Sequence, residues 1–99
     1  MKPLHPLINK KSSHYDNGDK TTIEQIEEVL TVDQMIGACI FNIMKYQDRK
    51  DHKGQHDSDI EKIKSYDRYK YMLECLDARF KDMIVGDVYK RLGIEWEYR

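Results

Sequence analysis

Long apolar runs are missing from this chain. No stretch approaches the ~20 residues that a membrane helix needs. The opening residues MKPLHPLINKK carry neither a long apolar segment nor a small-residue cleavage site. The expectation is a cytoplasmic protein with no membrane partner. An excess of one charge is missing too: 17 Lys and Arg stand against 18 Asp and Glu, net −1, which speaks against a histone-like binder of duplex nucleic acid. Cysteine is scarce. Cys39 and Cys75 each sit inside an apolar helical pattern without any C-x-x-C, so they read as two buried thiols and no metal is assigned. Phosphate cradles rich in glycine are also absent, since neither G-x-x-x-x-G-K-[ST] nor G-x-G-x-x-G occurs. No G-x-S-x-G and no paired Cys and His suggest nucleophilic catalysis.

What is present is helix. At 99 residues and 39% hydrophobic the chain holds one domain with a modest core, a size often helped by oligomerisation. Residues 1–20 carry both prolines and the turn signal Asn17-Gly18, which predicts an extended N-terminal arm. Capping boxes follow at Thr21/Glu24, Thr31/Gln34 and Ser58/Glu61. They predict a helix over 22–30, a second over 32–50 and a third over 59–82. In the second, apolar residues from Met35 to Met44 run nearly all round, which predicts a central helix buried on several sides. In the third, Tyr66, Tyr69, Leu73, Leu76, Phe80 and Met83 form an a/d seam, longer than one small bundle must bury, and so predict a homo-oligomer. A fourth helix is expected over 86–92, ended by Gly93. Ile94, Trp96 and Tyr98 then alternate with charged residues, a short tail that must dock on the bundle or on another chain. The expected fold is an all-α small helical bundle of three to four helices: arm 1–20, helical domain 21–93, tail 94–99.

Asn42, Lys45 and Arg49 share one face of the second helix at i, i+3, i+7. Tyr46 lies beside them and Lys53-Gly54 follows. Such a cationic stripe suits a phosphate, with Tyr15 or Tyr46 available to stack on a base; a solvated helix end paired to Asp48 and Asp51 remains the simpler alternative. Two acidic pairs, Glu24/Glu27 and Glu74/Asp77, offer a competing Mg²⁺ site, and His56-Asp57 bears a weaker likeness to the HD phosphohydrolases without their downstream His and Asp.

The order of these residues carries a resemblance. His14-Tyr15, Gly18, Asn42-Ile43-Met44-Lys45-Tyr46, Arg49, Lys53-Gly54 and Asp59-Ile60-x-Lys62-Ile63-x-x-Tyr66 together resemble the DUF3310 (SaV-like) family over residues 12–73. Phe41 stands where the family usually has Gly, and Ile63 where it has Ala. Asp67, Lys70 and Tyr71 admit a second register. The resemblance implies a phage protein with a nucleotide-phosphate ligand, and the kinase label of several members implies phosphorylation of deoxynucleoside monophosphates, for which Mg²⁺ would be needed. The ligand set it points to is His14, Tyr15, Asn42, Lys45, Tyr46, Arg49 and Lys53. Sequestering a nucleotide or cyclic nucleotide second messenger to counter host immunity is the alternative, and inhibition of a host protein a third. Catalysis stays open on sequence alone; no catalytic residue is assigned.

Overall fold

The computed structural model describes residues 2–7, 21–52 and 56–97. Two helices start as the capping boxes dictate. The Glu24 N–H donates to the Thr21 hydroxyl at 3.2 Å and the Thr21 N–H to the Glu24 carboxylate at 2.9 Å, opening α1 (Thr22–Glu27). Thr31 and Gln34 repeat the pattern at the head of α2 (Val32–Lys50), whose bounds match the expected helix. α1 stops three residues short of its expected end. Beyond it the chain must turn toward the C-terminal part, where the Leu30 carbonyl accepts from the Val85 N–H at 3.0 Å.

The third helix is corrected at both ends. α3 spans His56–Glu74, so Ser58 lies inside its first turn rather than capping it. Its C-terminus is set by Lys81, whose ammonium donates to the Leu73 and Glu74 carbonyls at 2.8 and 2.9 Å. A cation there satisfies carbonyls that no further turn can reach. Asp77 then accepts from the Arg79 N–H at 3.1 Å and starts a 3₁₀ turn, Ala78–Phe80. The carbonyls of Lys81 and Met83 accept from the Asp33 and Val32 N–H groups. The bend that ends α3 thereby serves the open amides of α2. α4 (Val85–Leu92) closes on Gly93, left-handed at φ 68°, as the glycine signal predicted.

The fold is all-α: four helices, and only isolated bridges rather than strands among the described residues. Its core joins Val32, Met35 and Cys39 of α2, Tyr69 and Leu73 of α3, Phe80, and Val85 and Val88 of α4. Two expectations are corrected here, on α2 and on Cys75. The seam of Tyr69, Leu73 and Phe80, with Leu76 packed against it, is used within the single chain. α2 is buried along one face only, and Ile40, Phe41 and Met44 are exposed. Cys39 is buried as expected, while Cys75 is exposed.

The alternating tail docks on the N-terminal residues. The Glu97 N–H donates to the Pro3 carbonyl at 2.7 Å and the His5 N–H to the Glu97 carbonyl at 3.3 Å, a parallel bridge at Leu4 and Glu97. Beneath it lies Glu27, buried although charged. Its carboxylate accepts from Tyr69 and Tyr89, each at 2.5 Å, and from His5 Nε2 at 3.0 Å. The Leu7 N–H donates to His5 Nδ1 at 3.1 Å, which assigns the ring proton to Nε2. Three donors satisfy a buried carboxylate that would otherwise be costly. No described helix is long and apolar enough to cross a membrane.

Candidate functional site

α2 and α3 run antiparallel, so that Arg49 meets Asp59 and Tyr46 meets Tyr66 across the pair. Asp59 is wholly buried. The Arg49 fork spans it, Nη2 to Oδ1 at 3.0 Å and Nε to Oδ2 at 3.3 Å. This hydrogen bond strengthens the hold of Arg49 on its proton. The pair pins the loop end of α2 to the first turn of α3. One turn further on, the Tyr46 and Tyr66 rings stack at 6.1 Å between centroids. Burial pushes the Tyr66 hydroxyl above its ordinary range, so it is a neutral donor at physiological pH.

Tyr46 is also the centre of a cationic cluster. Lys45 Nζ lies 4.7 Å from its ring centroid, Lys62 Nζ 5.1 Å and the Arg49 guanidinium 5.2 Å. Attraction to the ring quadrupole helps hold like charges together. The ring forms part of the wall of a cavity of about 670 Å³, within the range of about 300–1,000 Å³ usual for small-molecule sites. Tyr46, Tyr66, Leu7 and Ile23 give it apolar and aromatic wall; Ser58, Glu61, Lys62, Ser65 and Arg68 line its α3 side. Arg68 Nη2 donates to the Ser65 hydroxyl at 3.4 Å.

The expected site residues divide accordingly. Tyr46 lines the cavity, and Lys45 and Arg49 stand over its ring. The Arg49 fork is turned to Asp59, and Asn42 Nδ2 donates to the Ala38 carbonyl of its own helix at 2.9 Å. His14, Tyr15 and Lys53 lie outside the described residues. The sequence reading missed the α3 contribution. Its signal was present: Ser58, Glu61, Lys62, Ser65 and Arg68 recur at helical spacing, but a polar stripe looks the same whether it faces water or a cleft.

The acidic pairs do not gather. Glu24 caps α1, Glu27 lies in the core, and Glu74 pairs with Lys70 at 3.1 Å. Among the described residues no group of three or more His, Cys, Asp or Glu stands arranged to hold a metal ion.

A family model described as a protein of unknown function, DUF3310, matches residues 9–68. The chain belongs to the DUF3310 family. The match takes in the whole α2–α3 site, from Lys45 to Arg68, and stops before the bend, α4 and the tail. No curated protein and no solved structure matches the chain. Within the DUF3310 region, the paired Arg49 and Asp59 and the stacked Tyr46 and Tyr66 join the two helices that form the cleft.

Proposed function

We propose that this DUF3310 protein binds a nucleotide in the cleft between α2 and α3, in the cytoplasm of a phage-infected cell. The observation that carries the reading is the gathering of Lys45, Lys62 and Arg49 around the Tyr46 ring at the edge of a 670 Å³ cavity. A nucleotide needs an aromatic or apolar surface for the base and fixed cations for the phosphate, and both chemistries meet here. Lys62 and Arg68 are the phosphate ligands in this reading, Tyr46 and Tyr66 the base platform, and Ser58 and Ser65 hydroxyl donors to sugar or phosphate. Arg49 braces Asp59 and adds positive potential. Binding needs only these groups, whereas phosphoryl transfer would further require Mg²⁺ held by carboxylates, of which Glu61 alone is among the residues lining the cavity, and a second nucleotide.

Isothermal titration with deoxynucleoside mono- and triphosphates and with cyclic dinucleotides tests the proposal. One class is expected to bind, and Lys62→Ala to weaken it roughly 10- to 100-fold, the value of a charge-assisted hydrogen bond. Arg68→Ala should act in the same direction. Full affinity in both folded variants would move the ligand elsewhere. Incubation with Mg²⁺, ATP and each monophosphate, followed by separation of products, decides the catalytic question; diphosphate formed at about 1 per second or faster would establish a kinase.

A further inference from the structure

We infer that the open face of α2 pairs with the same face of a second copy, antiparallel about a two-fold axis near residue 39. The first observation is a glycine without a local reason. Gly86 has one: a Cβ there would meet the Glu27 carbonyl at 3.3 Å. Gly37 lies inside α2, where glycine is among the poorest helix formers. Its φ is not positive, it is exposed, and a Cβ would meet nothing within 4 Å. A glycine at such a position fits the close approach of something outside the chain.

The second observation is the ridge on which Gly37 stands. Asp33, Gly37, Phe41 and Lys45 follow each other at intervals of four along one side of α2, and all four are exposed. Read from the other end, the ridge is cation, ring, notch, anion. Laid antiparallel on itself, it puts Phe41 of each copy into the notch at Gly37 of the other and Lys45 beside Asp33, twice over. Ridges of this spacing interdigitate in the commonest helix packing, and a two-fold interface requires this kind of self-complementarity. A parallel arrangement would set Asp33 against Asp33 and Phe41 against Phe41. The charge order therefore selects a second copy over an unrelated helix.

The third observation is area. Ile40, Phe41 and Met44 are 45%, 69% and 65% exposed, together on the order of 350 Å² of apolar surface, the size of the largest patch on an ordinary monomer. A small stable dimer takes about 800 Å² from each copy, of which about 520 Å² is apolar in a homodimer. The α2 face supplies most of that, with the charged ends as rim.

Light scattering on the full chain from 1 to 200 µM tests this. The expected mass rises to twice the 11.9 kDa of one chain. Phe41→Asp should return it to one chain with unchanged circular dichroism, since Phe41 supports nothing in the monomer core. Gly37→Gln should raise the thermal midpoint at low concentration while weakening the dimer at least tenfold, a pairing of signs that a buried structural glycine would not give. Asp33→Lys should weaken association, and adding Lys45→Glu should restore it. A single-chain mass at 200 µM, a dimer indifferent to Phe41→Asp and Gly37→Gln, or a charge exchange that fails to restore association would overturn the antiparallel pairing.

Discussion

Cys39 sits against α3, and burial pushes its thiol from the ordinary 9.0 up to about 11. The native thiol keeps its proton over a range where the unfolded chain gives its proton up. The unfolded state then binds fewer protons, so stability that is whole well below pH 9 falls as pH rises through the window from 9 to about 11. Tyr66, Tyr69 and Tyr89 are displaced in the same direction, chiefly by burial, and add to the loss above pH 10. Urea midpoints at pH 8, 9 and 10 should decline in the wild type and decline less steeply in Cys39→Ala. Equal slopes in the two proteins would remove the thiol as a cause.

The pair of helices that makes the cleft is joined by the Arg49–Asp59 ion pair. Arg49→Met strands the buried Asp59 carboxylate, and the thermal midpoint should drop on the order of 5–10 °C. Adding Asp59→Leu should recover much of it, because an apolar pair avoids the cost of burying a lone charge. A double variant no better than the single would show that Asp59 has another essential partner. These elements were legible to different depths. Thr21/Glu24 and Thr31/Gln34 predicted two helix starts correctly because a capping box is a purely local device. The break after Glu74 was not visible, since its cause is Lys81 reaching back over the turn, and the heptad spacing runs through Phe80 as though the rod continued. Of the site, Tyr46 and its neighbouring cations could be read from α2. Its far wall could not, because facing between two helices is a tertiary fact that the spacing of Ser58, Lys62 and Ser65 does not contain. The buried role of Glu27 was hidden for the same reason: its three donors come from residues 5, 69 and 89.

Across the whole molecule, the DUF3310 match and the remainder of the chain divide the labour. The matched residues supply all of the described cavity wall but Leu7, while the bend, α4 and the tail complete the core and tie residues 2–7 to residues 94–97 over Glu27. That tie has a kinetic and optical consequence. Leu4 and Glu97 close a loop that spans nearly the whole chain, and such long closures are entropically the most expensive to make and follow the local helix contacts. The chain has one tryptophan, and it stands in this closure, Trp96 meeting His5 edge-on at 5.0 Å and Tyr89 at 5.5 Å. Its emission is therefore a clock for the last event of folding and the first of opening. On refolding, ellipticity at 222 nm should recover before tryptophan fluorescence, and in rising urea the fluorescence should change first. Coincident traces in both directions would mean that the loop closes together with the helices.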